Sequence, residues 1–232
     1  MPQPENPSSY SGVTSQAEEQ TADVVTQTPN AEPIYTEWRQ QMHNGLTKLQ
    51  KTSAPLFDKT ELFRICSSTL VPGLLQTAGY AAAVLRAVAN FRELPVDDSA
   101  EAARARVERS RVIHEAGRRF TLLVEESVLH CQIGDAETMA AQLHYLLTAS
   151  ELPSVSFGVV PKDTRERPQS PRETFHVYDD SLVSVELVSA RVRVTQPSEV
   201  SLYLKAFEQL RSMAVYGTEA RTLIVKALEA LR

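Results

Sequence analysis

The sequence predicts an α+β fold in which an antiparallel or mixed sheet of about four to five strands is covered by helices, with helical segments at both ends of the domain. Apolar residues recur at helical spacing up to about residue 115, alternate with polar residues from 120 to 195, and return to helical spacing after 197. A chain of 232 residues forms one core, and a hydrophobic content of 42% is ordinary for a globular protein.

The first 36 residues are predicted to be a disordered, acidic tail rich in Pro, Ser, Thr and Gln, followed by a single regulatory domain over 37–232. The first 38 residues contain six acids and neither Lys nor Arg, so the net charge of −5 becomes about +1 on the remaining 194 residues. A body this close to neutral gives no argument for direct binding to nucleic acid.

In the first half of the domain, apolar spacing from Thr36 predicts one helix that ends before Ala54-Pro55, because the residue before a proline avoids the helical region. A second amphipathic segment, "DKTELFRICSSTL", follows it. Thr77 is the candidate cap of an alanine-rich helix, and Asp98 stands three residues before Glu101 in the spacing of a capping box that opens a helix of roughly 18 residues.

The second half carries the strands. Five segments with β-branched and aromatic alternation are predicted strands, and they lie at 120–129, 154–161, 173–179, 181–188 and 191–195. A helix over 135–150 separates the first two, and two helices over 197–215 and 218–232 complete the domain. These last helices either close the core or form a dimer interface.

Several segments together resemble a known family. They are "VPGLLQTAGYAAAVL", "ARVERSRVI", "VEESVLHCQIG", "LPSVSFGVVP", "FHVYDDSLVSVE" and "YLKAFEQLRSMAV". In this order, over residues 36–232, they resemble the C-terminal domain of unknown function of actinobacterial WhiJ-like, antitoxin-like regulators of the Xre helix-turn-helix type. The resemblance implies transcription regulation, an effector-binding or partner-binding domain after a helix-turn-helix, and often a small acidic protein partner.

The segment before Trp38 departs from that family. A helix-turn-helix needs roughly 60 residues of apolar-periodic sequence, whereas about 36 proline-rich, acidic residues precede Trp38. We therefore expect a non-catalytic module without its own DNA-binding domain, which acts by protein–protein contact. Its expected partner is a small acidic protein or a full-length helix-turn-helix relative, with a homodimer as a further arrangement. Without a leader segment or an apolar span, we expect a cytoplasmic protein with no membrane contact.

Two clusters are candidate binding sites, and each has a structural alternative. At the Pro72-Gly73 turn, the candidates are Leu74, Leu75, Gln76 and Tyr80, which either pack in the core and open a helix or line a groove for a ligand. In the arginine-rich helix, the candidates are Arg104, Arg106 and Arg109, which with interleaved glutamates form either a solvated face or a docking surface.

An alternative function is a small-molecule receptor or an enzyme on the same fold. Its pocket would lie between sheet and helices under a polar loop at 162–172, lined by Glu125, Glu126, His176 or Tyr178. No metal or cofactor is expected, because His130-Cys131 are adjacent rather than spaced as ligands and no phosphate-binding or dinucleotide motif occurs. The sequence contains no catalytic motif either, so we expect no enzyme activity from it while leaving that alternative open.

Overall fold

The computed structural model describes residues 34–231, so the predicted tail lies outside the described residues as far as residue 33. The strands are β1 (Tyr35–Glu37), β2 (Leu62–Ser67), β3 (Arg119–Glu125), β4 (Val155–Val160), β5 (Phe175–Tyr178), β6 (Leu182–Glu186) and β7 (Ala190–Val194). The helices are α1 (Trp38–Met42), α2 (Leu46–Thr52), α3 (Ala54–Lys59), α4 (Ala78–Phe91), α5 (Ser99–Arg109), α6 (Ser127–His130), α7 (Ala136–Ala149), α8 (Pro197–Met213) and α9 (Gly217–Glu229). Two 3₁₀ turns span Gly73–Leu75 and Ser110–His114.

All described strands belong to one mixed sheet with the order β1-β7-β6-β5-β2-β3-β4. The pairs β2–β3 and β3–β4 are parallel, and the other pairs are antiparallel. The predicted α+β class and mixed sheet are confirmed. The predicted number of strands is wrong, because the sheet has seven strands over residues 34–231 rather than four to five.

The two strands that the sequence does not predict are β1 and β2. Strand β2 lies between β5 and β3 at the centre of the sheet, with Phe63 and Ile65 buried on one face and Cys66 on the other. A strand covered on both faces loses the alternation that identifies strands, and "LFRICS" therefore has the pattern of an amphipathic segment. Strand β1 is three residues long and pairs with β7, with Tyr35 opposite Val192.

The first predicted helix is interrupted by Gly45, whose φ of +88° places it in a region that favours glycine. The chain forms α1 and α2 on either side of it. Pro55 does not end a helix; it lies in the first turn of α3, where a missing N–H costs no hydrogen bond. Helix α5 has 11 residues rather than about 18, because a 3₁₀ turn follows it.

The predicted capping box at Asp98 is also wrong. Its carboxylate accepts hydrogen bonds from the backbone N–H groups of Leu46 (3.0 Å) and Thr47 (2.8 Å), so it caps α2 instead of its own helix. The predicted cap at Thr77 is confirmed, since its hydroxyl accepts a hydrogen bond from Tyr80 N–H.

Helices cover both faces of the sheet. On one face, Phe63, Phe120 and Leu122 pack with residues of α4, α7 and α9, and on the other Leu123, Phe175 and Val177 pack with α8. A third cluster joins α1, α2, α4 and α5 above the antiparallel half of the sheet. The last helices close the core, since Phe207, Leu210 and Ile224 are buried. Within residues 34–231, no helix combines the length and apolar character needed to span a bilayer.

Candidate functional site

A cavity of about 490 Å³ lies between the antiparallel half of the sheet and helices α1, α2, α4 and α5. Its volume falls in the range of about 300–1,000 Å³ that is usual for ligand pockets. The sheet supplies the floor of the cavity, and the helices with the 3₁₀ turn at Gly73–Leu75 supply its roof.

The floor is a polar patch on an otherwise apolar sheet face. Successive residues of a strand point to opposite faces, and the strand pairing places the lining residues in three cross-strand rows. The outer row holds Glu186 and Arg191, the middle row holds His176, Ser184 and Arg193, and the inner row holds Tyr178 and Leu182. On the opposite face of β7, Val192 and Val194 pack in the cluster that contains α8. Strand β7 is therefore apolar toward α8 and cationic toward the cavity.

In the roof, the Arg106 guanidinium is fixed by two neutral amides. Its Nε donates to Gln50 Oε1 at 3.1 Å and its Nη1 donates to Gln76 Oε1 at 2.7 Å. Gln76 is held in turn, because its Nε2 donates to Val71 O at 2.7 Å. These contacts orient Arg106 without neutralising its charge.

Arg109 and Arg191 lie against aromatic rings. The Arg109 guanidinium carbon is 4.5 Å from the centroid of the Phe57 ring, and that of Arg191 is 5.0 Å from the centroid of the Trp38 ring. Arg109 Nη1 donates to Gln50 O at 3.1 Å, and Arg191 Nη2 lies 3.9 Å from Glu186 Oε1. The Nε atoms of both arginines are buried without a hydrogen-bond partner within residues 34–231.

The three guanidinium groups repel one another. Burial lowers the pKa of Arg109 to about 10, with Arg106 and Arg191 adding to the effect, and burial also lowers the pKa of Arg106. A guanidinium group keeps its proton in proteins at neutral pH, and a pKa of about 10 leaves Arg109 charged as well. The cavity is consequently a region of positive potential in a poorly solvated environment.

His176 and Tyr178 form a neutral pair on the floor, with His176 Nδ1 and Tyr178 Oη 3.2 Å apart. Burial, together with the neighbouring arginines and against the opposing effect of Glu186, lowers the pKa of His176 to about 4. Burial raises the pKa of Tyr178 to about 12. At neutral pH the hydroxyl is protonated and the imidazole carries one proton. One of these protons lies in the bond between the rings, so the pair presents one further hydrogen-bond donor.

Three of the predicted site residues, Gln76, Arg106 and Arg109, meet in this cavity. Leu74, Leu75 and Tyr80 are instead packed in the core. The leucines of the Pro72-Gly73 turn therefore fill the core, as the structural alternative predicts, while Gly73 and Gln76 line the cavity.

The remaining predicted residues lie elsewhere. Arg104 is exposed on the outer surface of α5. Glu126 is buried after the end of β3, where its carboxylate accepts a hydrogen bond from Lys162 N–H, and the neighbouring Glu125 forms an ion pair with Arg167 at 2.6 Å. Neither glutamate lines the cavity, whereas His176 and Tyr178, named for the receptor alternative, do.

Sequence reasoning does not identify Trp38, Gln50, Glu186, Arg191 and Arg193 as lining residues. The available signal was "ARVRV", where arginine at every second position of a predicted strand places two guanidinium groups on one face. No comparable signal marks Gln50. Among residues 34–231, no three His, Cys, Asp or Glu side chains are grouped as a metal site would require.

Comparison with known protein families identifies one family that matches most of the chain. A family model described as a domain of unknown function, DUF5753, matches residues 61–226. The chain belongs to this family. The matched segment begins before β2 and ends within α9, so it includes the whole sheet except β1 together with most of the cavity. Among curated proteins, no match is found.

Two solved structures share a distant likeness with the chain. TrmBL2, an archaeal chromatin protein whose structure is described as showing a novel mode of DNA binding, aligns with 9% identity and a TM-score of 0.39 over 84% of this chain and 57% of its own. Nuc, a phospholipase D family member from Salmonella typhimurium, aligns with 10% identity and a TM-score of 0.40 over 73% of this chain and 90% of its own. The chain therefore spans little more than half the length of TrmBL2, and neither likeness bears on its function.

Proposed function

We propose that this domain is a small-molecule-binding regulatory module whose interior cavity holds an anionic ligand. The observation that carries the proposal is the meeting of Arg106, Arg109 and Arg191 in one cavity, with Glu186 of the same floor 3.9 Å from Arg191. Such an arrangement is costly to fold unless an anion offsets the charge, because like charges in a poorly solvated site repel strongly.

The hydrogen-bonding groups of the cavity also favour an anion. The arginines supply donors and the His176–Tyr178 pair supplies one more, while the side-chain oxygens of Gln50 and Gln76 already accept from Arg106. A ligand rich in acceptor oxygens, such as a carboxylate or a phosphate, satisfies these donors. The guanidinium groups of Arg109 and Arg191 already lie over the Phe57 and Trp38 rings, which lowers the entropy lost on binding.

Ligand binding in this cavity provides a route to regulation. The lining comes from α2, the Gly73–Leu75 turn, α5 and β5–β7, so a ligand that contacts these elements changes their relative stability. We also propose that the chain is related to WhiJ-like, Xre-type transcription regulators. The domain would correspond to the effector-binding domain of those regulators. Ligand binding would then change a surface of the domain that a partner protein binds. This partner would be a small acidic protein or a full-length helix-turn-helix relative.

Direct partner binding without a ligand is the second candidate. It is favoured by an exposed apolar patch at the cavity mouth, where Phe91 is 71% exposed and Val188 is 76% exposed. Arg92 joins them, because its guanidinium donates to Val188 O at 2.5 Å and lies 5.9 Å from the centroid of the Phe91 ring. Apolar patches of this kind often mark protein interfaces.

The test of the anion site is thermal unfolding in inorganic phosphate and in chloride at equal ionic strength. We expect phosphate to raise the melting temperature of the wild type and of Arg104→Met, whose side chain is exposed on the same helix, and to have no such effect on Arg109→Met. An equal rise in all three proteins would show a general salt effect and would overturn the proposed anion site.

A further inference from the structure

Building on the proposed anion site, we infer that its ligand is amphipathic, with an acidic oxyanion head held by Arg106 and Arg109 and an apolar body that runs to the cavity mouth past Trp38, Val88 and Val188. The inference rests on the distribution of polar and apolar groups between the interior of the cavity and its mouth.

The mouth lies at one defined end of the sheet. This end is marked by three cross-strand pairs. They are Cys66–Phe175 between β2 and β5, Phe175–Val185 between β5 and β6, and Glu186–Arg191 between β6 and β7. This is the end where the parallel strands β2, β3 and β4 finish. Two exposed apolar lining residues, Val188 at 76% and Leu187 at 43%, follow β6 at this same end.

The interior of the cavity is polar and holds the Arg106 and Arg109 guanidinium groups, whereas the Glu186–Arg191 pair lies nearer the mouth. Arg109 lies against Phe57, which is buried, and Tyr178 of the inner row is also buried. Arg106 is fixed above the floor by Gln50 and Gln76. An acidic head placed here lies away from bulk water, where its attraction to the guanidinium groups is strongest.

One wall between the interior and the mouth is apolar. It comes from α1, α2, α4 and the turn between β6 and β7, and its members are Trp38, Met42, Leu46, Leu85, Val88, Leu187 and Val188. The turn is held in place by two hydrogen bonds, from Trp38 Nε1 to Leu187 O at 2.7 Å and from Arg92 to Val188 O at 2.5 Å. The exposed apolar side chains therefore project from an anchored turn.

A small, fully polar anion would occupy the arginines and leave the exposed end of this wall, Leu187 and Val188, in water. A ligand with an apolar body covers Val188, Leu187 and Val88 as its head reaches Arg109, and removing such surface from water favours binding. The cavity has hydrogen-bond donors inside, an apolar wall that leads outward, and exposed valine and leucine side chains at its mouth. This arrangement favours binding of an amphipathic organic acid over binding of a compact inorganic anion.

The experiment measures binding to the full chain by isothermal titration calorimetry with four probes: decanoate, decanol, acetate and inorganic phosphate, each below any micelle-forming concentration. We expect decanoate to bind at least about tenfold more tightly than acetate and than decanol, since only decanoate offers both head and body. Two variant pairs assign the contacts. Arg109→Met and Val188→Asn are expected to weaken decanoate binding at least about tenfold, whereas Arg104→Met and Val225→Asn, at exposed positions on α5 and α9, leave it unchanged.

The outcomes separate this inference from the proposed function. If phosphate binds in an Arg109-dependent manner and decanoate binds no more tightly than acetate, the amphipathic ligand is overturned while the anion site stands. If decanoate and decanol bind equally and Arg109→Met has no effect, the site is an apolar surface only, and the head is overturned. If no probe shows Arg109-dependent binding, the proposed anion site fails, and the inference fails with it.

Discussion

Arg106 Nη1 donates a hydrogen bond to Gln76 Oε1 at 2.7 Å, and this contact joins helix α5 to the Pro72-Gly73 turn. It links the two segments whose functional interpretations the sequence leaves open. Helix α5 and the Pro72-Gly73 turn each contribute residues to both the core and the cavity. The Arg106 side chain extends from the helix to the turn and joins them.

Gln76→Glu should weaken anion binding. A carboxylate at this position pairs with Arg106 and neutralises part of the positive potential that attracts the ligand. We expect inorganic phosphate to bind roughly tenfold more weakly, equivalent to about 1.4 kcal/mol, as measured by calorimetry. Gln132→Glu, an exposed substitution of the same kind, is the control. Unchanged affinity in Gln76→Glu would place the anion away from Arg106.

His176 should make stability dependent on pH in a defined window. Its pKa of about 4 in the folded protein lies below the ordinary value of about 6.5, so between these values the unfolded chain binds more protons. This contribution to stability is complete above pH 6.5 and is lost as the pH falls through 4. Urea unfolding of the wild type and His176→Gln at pH 7.5 and pH 4.5 measures it. We expect the wild type to lose more unfolding free energy than the variant, and equal losses would contradict the prediction.

Asp98 should matter to the site although it does not line it. Its carboxylate caps α2, which carries Gln50, and the hydrogen bonds from the Thr47 and Leu46 amides lower its pKa despite the opposing effect of burial. Asp98→Ala should cost about 1–2 kcal/mol of unfolding free energy, as loss of a helix cap does. It should also weaken phosphate binding through Gln50 and Arg106. Asp163→Ala, at an exposed loop position, should change neither.

Two glycines should respond to alanine in opposite directions. A Cβ at Gly158 in β4 would lie 2.7 Å from Tyr216 Cε1 and 2.9 Å from Leu123 Cδ2, so Gly158→Ala should cost about 1–3 kcal/mol through overpacking. A Cβ at Gly79 in α4 meets only Thr138 Cγ2 at 3.7 Å, an ordinary contact. Gly79→Ala should stabilise the protein by about 0.5 kcal/mol, because alanine loses less backbone entropy in a helix. Chemical denaturation of both variants checks the contrast.

The elements that sequence analysis predicts are those with local signals. The helices at 136–149 and 197–213 show clear apolar spacing, Thr77 has the cap preference of its residue type, and β3–β7 show β-branched alternation. Strand β2 was not predicted, because burial of both faces by α4 and α8 is a property of the whole fold rather than of its six residues. The local sequence predicts the wrong helix for the Asp98 cap for the same reason, since its partner amides are more than 50 residues away.

The site is less predictable than the fold, because its members come from distant segments that the sheet brings together. Arg106 and Arg109 are conspicuous as charges, but their interleaved glutamates suggest a solvated helix face, and only the structure shows which arginines point inward. Arg104 shares the same helix and remains exposed. Gln50 carries no charge and no motif, and its role depends entirely on its contact with Arg106.

The pairing of β1 with β7 has a consequence for synthesis of the protein. Trp38 follows β1 directly and stacks on Arg191 of β7, and the Tyr35 hydroxyl contacts Ser189, 154 positions later in the chain. During synthesis the wall of the cavity formed by Trp38 therefore has no partner strand until β7 has emerged from the ribosome. Contacts between such distant segments are slow to form. The cavity is thus completed only after β7 has been synthesised, and a ligand that binds the completed cavity would stabilise the fold at that step.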